Sequence, residues 1–128
     1  AGKSPMSTMA PTMVFNEEGE LILITGSPGG SLIPAAILRV ITGVIDFDLD
    51  IGQATMLPRV HKDWPTTGIL YERTLNSDVV RIINKRIGHK MTAEHTMGST
   101  QSIHVIDQTN YGFADLRRPN ASVSVQTN

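Results

Sequence analysis

The chain has 128 residues, of which 40% are hydrophobic and 18% charged, with a net charge of −1. That length suits one domain, and the balanced charge offers no basic footprint for nucleic acid and no polybasic membrane patch. The absence of cysteine excludes a disulfide framework, a Cys-bound metal and a thiol nucleophile.

Residues 12–15 and 20–25 are rich in aliphatic side chains and flank Asn16-Glu17-Glu18-Gly19, whose Asn and Gly supply turn chemistry. A β-hairpin is expected there. The run 21–24 is continuously apolar, the pattern of a strand buried on both faces. Gly26-Ser27-Pro28-Gly29-Gly30-Ser31 follows, and then Ile33, Ile37, Val40, Ile41 and Val44 recur at near-helical spacing. Ser31 is the expected N-cap, and Pro34 fits within the first turn, where a missing N–H costs little. Residues 50–56 read as a short helix stopped by Pro58.

Residues 61–68 read as loop and 69–72 as a short strand. An amphipathic helix is expected over 77–87, with Val79, Ile82, Ile83 and Ile87 on one face and Gly88 as its stop. Residues 90–95 suit a strand. Residues 101–106 and 111–114 form a second expected hairpin across 107–110, and the polar tail 120–128 is expected to fray. Antiparallel strand pairs with two substantial helices point to an α+β fold. No apolar stretch reaches the ~18 residues of a membrane-spanning helix, and residues 1–13 lack the apolar core of a secretory leader.

The loop 26–31 carries the clearest chemical signal. Gly29 and Gly30 reach backbone conformations closed to other residues, just before a helix, so successive N–H groups can converge on an anion or a developing oxyanion. A tight strand-to-helix turn uses the same glycines. The loop matches neither the phosphate-loop nor the dinucleotide fingerprint. The hydroxyls of Ser4, Ser7, Thr8 and Thr12, clustered around Pro5 and Pro11, can grip a carboxylate or cap local turns. His61, His89, His95 and His104 include no pair spaced for a metal on a helix, and Asp63 beside His61 has no apparent third ligand. No cofactor is called for. Ser7, Thr8 and Ser99 are hydroxyls without an apparent local base. Arg59, Trp64, Arg117 and Arg118 suit either a partner surface or buried ion pairs and packing.

Taken in order, six segments resemble the γ-glutamyltranspeptidase family. They are Pro5-Met6-Ser7-Thr8-Met9-Ala10-Pro11-Thr12, then Thr25-Gly26-Ser27-Pro28-Gly29-Gly30-Ser31, then Ile45-Asp46-Phe47. Pro58-Arg59-Val60-His61 with Trp64 follows, then Met97-Gly98-Ser99-Thr100-Gln101-Ser102-Ile103, and finally residues 112–119 with Asp115, Arg117 and Arg118. Ala10, Leu32, Leu57 and Leu116 depart from the residues common in the family.

The resemblance implies an N-terminal-nucleophile hydrolase of four-layer αββα architecture, made by self-cleavage of a precursor into a large and a small subunit. Residues 1–128 would be the C-terminal portion of the small subunit. The attacking Thr, on a Thr-Thr-His-type segment, would lie upstream, with its own α-amino group as base. Gly29 and Gly30 fall on the family's oxyanion hole. Ser7 and Thr8 fall on its paired serines, which bind the α-carboxylate of the γ-glutamyl group of substrates such as glutathione. The implied partners are the large subunit and the rest of the small one. Residues 1–128 alone are expected to be inactive and to self-associate through an uncovered face. The resemblance places the protein in the periplasm, outside the cell or at its surface. A glutaryl or cephalosporin acylase of the same fold and an inactive carboxylate-binding relative are the alternatives.

Overall fold

The computed structural model describes residues 2–4, 7–65 and 68–124. Pro5 and Met6 of the first family-like segment, and residues 125–128 of the tail, lie outside the described residues.

Strands β1 (Thr12–Phe15) and β2 (Leu21–Gly26) form the expected hairpin. Residues 30–32 make one 3-10 turn that runs into helix α1 (Ile33–Ile45). Ser31 is therefore not the N-cap: it lies inside the 3-10 turn, and Leu32 occupies the cap position without a side-chain bond. Pro34 does sit at the helix start. Helix α2 (Ile51–Met56) begins with a capping box. Asp50 Oδ1 accepts from Gln53 N–H at 2.7 Å while the Gln53 side chain reaches back to the Asp50 N–H.

Strand β3 (Val60–His61) takes the first residue of the expected 61–68 loop, and β4 (Gly68–Glu72) follows. Helix α3 (Ser77–Ile82) continues into a wider π turn, Ile83–Ile87, closed by Gly88 at φ 83°. Strand β5 (Lys90–Glu94) pairs with β4 in parallel, so not every strand pair is antiparallel. A crossover helix between two strands produces that arrangement. Strands β6 (Gln101–Ile106) and β7 (Thr109–Ala114) make the second hairpin. Its loop is shorter than the sequence suggests: only Asp107 and Gln108 turn the chain, both at positive φ.

Two sheets result. One has the order β1-β2-β6-β7, the other β3-β4-β5. Helices α1 and α2 cover one face of the first through a core of Leu23, Val40, Val44, Ile51 and Ala54, with Val14, Ile41, Leu49 and Phe113 against it. The helices approach closely at Gly43, where an added Cβ would stand 2.8 Å from Ala54 Cβ. Strand β2 is buried only on this side. Leu23 and Thr25 are enclosed, but Ile22 and Ile24 stay half-buried. Met13, Ile24 and Ile103 form a cross-strand row on the opposite face, with Met13 62% and Ile103 39% exposed.

Candidate active site

The hairpin β1–β2 brings the two functional segments of the sequence together. Residues 7–11 lead into β1, and residues 26–31 leave β2 at the same end. Thr8 Oγ1 donates to the Gly30 carbonyl, which ties the hydroxyl segment to the glycine turn. Ser7 Oγ accepts from Met9 N–H at 3.2 Å. A hydroxyl has one proton, so Thr8 spends its donor on Gly30. Among the described residues the Ser7 proton has no acceptor.

Gly29 and Gly30 have φ of 145° and 56°, values that side-chain-bearing residues rarely adopt. The Gly29 carbonyl accepts from Leu32 N–H at 3.1 Å. In a trans peptide the N–H points opposite to the C=O. The Gly30 N–H, on the same peptide as that carbonyl, therefore points out of the start of the helical run. The first N–H groups of such a run have no partner within it. The turn thus presents a donor to any oxygen carrying negative charge.

Beneath the turn lies the segment 97–100, with Met97, Ser99 and Thr100 buried. Gly98 has φ 74°, and a Cβ there would stand 2.7 Å from Ser27 Oγ. A Cβ on Gly29 would in turn lie 3.3 Å from Gly98 Cα. Ser99 N–H donates to Ser27 Oγ at 3.0 Å.

Three buried charged residues hold segment 97–100 in place, and the half-buried Arg117 braces two of them. Glu72 Oε1 accepts from Met97 N–H at 2.9 Å, and Arg59 donates to the Met97 carbonyl at 2.6 Å. Asp115 Oδ2 accepts from Thr100 N–H at 2.9 Å and from Arg59 at 2.7 Å. Arg117 grips both Glu72 oxygens, at 2.6 and 2.7 Å, and also reaches Asp115 and the carbonyls of Thr55 and Leu57. Burial alone would raise the carboxyl of Glu72. The bonds from Arg117, Met97 and Arg59 and the charge of Arg117 outweigh it and hold the group below its ordinary range. Asp115 is likewise lowered: its bonds from Arg117 and Thr100 and the charge of Arg59 overcome burial. Burial also opposes the charge of Arg117, but Glu72 and Asp115 raise its pKa above the ordinary value. Burial and then the like charge of Arg117 lower Arg59.

The structure thus joins Ser7, Thr8, Gly29 and Gly30 at one end of the first sheet. Ser99 is enclosed and bonded there as a support. Arg59 and Arg117 are ion-pair residues, while Trp64 is 91% exposed. Nothing in the sequence around Glu72 marks it, because its partners are distant in the chain. His61 pairs with Asp63 at 2.8 Å.

Residues 1–125 match the family model described as Gamma-glutamyltranspeptidase. The chain is 38% identical over 116 residues to the glutathione hydrolase proenzyme of Escherichia coli, covering 90% of this chain and 20% of that protein. It superposes on a Helicobacter pylori gamma-glutamyltranspeptidase with a TM-score of 0.84 and 32% identity, over 92% of this chain and 65% of that one. A Bacillus halodurans cephalosporin acylase shares the fold, with a TM-score of 0.78 and 23% identity over 86% of this chain and 21% of that one. The chain spans about a fifth of the length of the curated relatives it matches.

Proposed function

Because the chain belongs to the γ-glutamyltranspeptidase family and has the α+β fold of N-terminal-nucleophile hydrolases, we propose that it is the C-terminal portion of the small subunit of a γ-glutamyltransferase or glutathione hydrolase. The observation that carries this reading is the meeting of residues 7–8 with residues 29–30 at the end of β1 and β2.

In this reading the attacking Thr hydroxyl comes from a segment outside residues 1–128. It adds to the γ-carbonyl carbon, and the N–H groups of Gly29 and Gly30 receive the oxygen as it becomes negative. Losing one such donor typically costs about 3–4 kcal/mol of transition-state stabilisation. The α-amino group of that Thr takes the hydroxyl proton and gives it to the amine, which leaves as the C–N bond breaks; the γ-glutamyl ester left on the Thr is then taken by water or an acceptor amine. Ser7 and Thr8 hold the substrate's α-carboxylate. Ser7 has a proton to give, while Thr8 must turn its proton away from Gly30 to join it.

The large subunit and the remainder of the small subunit are the proposed partners, and they cover the open sheet face around Met13, Ile24 and Ile103. Residues 1–128 alone lack the nucleophile, are inactive and self-associate through that face. The proposed location is the periplasm, the exterior or the cell surface. Among the described residues, no helix is long and apolar enough to cross a membrane.

The test is expression of residues 1–128 with the segments that precede them in the gene, followed by assay of a γ-glutamyl anilide. Self-cleavage and release of the aniline are expected. No cleavage and no turnover would reject the reading in favour of an inactive carboxylate-binding relative. The fold shared with a cephalosporin acylase supports a second reading, an acylase of glutaryl or cephalosporin side chains. Glutaryl amides lack the α-amino group, so a preference for them over γ-glutamyl amides would select it.

A further inference from the structure

We propose that Ser27 is a positioning residue that aims the Gly29 N–H into the oxyanion site and locks the glycine turn onto segment 97–100. The inference rests on the reading of Gly29 and Gly30 as oxyanion donors.

The Ser27 hydroxyl bonds in two directions. It donates to the Pro28 carbonyl at 2.8 Å and accepts from Ser99 N–H at 3.0 Å. The Pro28 carbonyl shares a peptide plane with the Gly29 N–H. Holding that carbonyl on Ser27 turns the Gly29 N–H to the opposite side. The bond from Leu32 to the Gly29 carbonyl does the same for the Gly30 N–H. Each donor of the turn is therefore aimed through the far end of its own peptide.

The second bond gives the arrangement its stiffness. Ser99 is enclosed, and its neighbours Met97 and Thr100 are fixed by Glu72, Arg59 and Asp115. Ser27 is the hydrogen-bonded link between that frame and the turn. There is room for this contact because residue 98 is glycine: a Cβ on Gly98 would stand 2.7 Å from Ser27 Oγ. A donor set rigidly beforehand stabilises developing charge without reorganising during the reaction. Ser27 touches neither Ser7 nor Thr8, so its effect falls on the chemical step more than on the carboxylate grip, which meets the turn at the Gly30 carbonyl.

The experiment compares Ser27→Ala, Ser27→Thr and Gly98→Ala in the full-length enzyme, with a γ-glutamyl anilide as substrate. Ser27→Ala is expected to lower kcat about 10- to 100-fold, below the loss of a whole donor, with KM changed less than about 3-fold. Ser27→Thr keeps the hydroxyl and is expected to restore most of kcat. Gly98→Ala displaces the hydroxyl, and also strains the backbone at φ 74° and crowds Ala36, so it is expected to lower kcat at least as far; wild-type kcat in it decides the test if Ser27→Ala does not fold. Hydrogen exchange of peptides spanning residues 26–32 is expected to quicken in both lowered variants. Wild-type kcat in folded Ser27→Ala or Gly98→Ala overturns the proposal, including the case in which the defect is a rise in KM alone. If the unsubstituted enzyme turns over no γ-glutamyl substrate, the functional reading fails and exchange alone decides: unchanged protection of residues 26–32 overturns the link.

Discussion

The sheet β1-β2-β6-β7 and the sheet β3-β4-β5 are held by different forces. The first is covered by α1 and α2 across an aliphatic core in which Leu23, Val40 and Ala54 are fully enclosed. The second carries α3 and its π turn, in which no residue is buried. It is anchored through Glu72 at the end of β4, which binds Arg117, Met97 and the Arg59 backbone. Apolar burial acts in any direction and tolerates rearrangement. A buried ion cluster fixes orientation and penalises the loss of one member more than it rewards the whole. The segment that supports the glycine turn is tied to the second kind of joint.

The largest effect is expected where the joint is cut. Glu72→Ala leaves Arg117 without its main counter-ion and should cost about 3–5 kcal/mol, read as a lower urea midpoint. A loss below about 1 kcal/mol would place the anchoring elsewhere. Acid should attack the same joint. The folded carboxyls of Glu72 and Asp115 lie below their ordinary values. Their contribution is therefore complete above the unfolded carboxylate pKa values, about 4, and is lost as pH falls through the lower folded ones. Amide signals of Ile69 and Thr92 should weaken at a higher pH than those of Val40 and Val44. Simultaneous loss would erase the distinction between the two regions.

A smaller effect should follow from crowding the apolar joint. Gly43→Ala places a methyl 2.8 Å from Ala54 Cβ and 3.2 Å from its Cα. The helices must move apart, at about 1–3 kcal/mol, measurable by thermal unfolding. The smallest effect belongs to α3. Ile82 is 43% exposed, so Ile82→Ser should change stability by less than about 0.5 kcal/mol. A larger loss in the full-length protein than in residues 1–128 would mark this face as covered by another segment.

The elements were legible where a short-range rule governs them. Aliphatic runs bounded by turn residues located most strands, period-3.6 spacing located the helices, and Gly88 marked the end of the helical run that α3 begins. Ser31 misled because the 3-10 turn begins earlier, at Gly30. The parallel pairing of β4 with β5 was not legible, since strand direction depends on the crossover and not on either strand's own pattern. The apolar side chains of α3 do follow a helical face, but periodicity does not say whether anything covers it. Gly29 and Gly30 were legible because a strained turn needs glycine. Their supports were not: Ser27 meets Ser99 and Glu72 meets Arg117 only through the fold, and local spacing says nothing about such meetings.

The adjacency of β2 and β6 sets a timetable for the molecule. Leu23 lies beside His104, so the long stretch between them must be made before the central seam of the sheet can close. The hairpin β1–β2 leaves the ribosome before β6 and waits with one edge unpaired, with Leu21 to Ile24 available to any passing strand. Such distant pairings slow folding and prolong exposure. The glycine turn acquires its floor only after residues 97–100 arrive, so a competent turn is among the last features to be assembled.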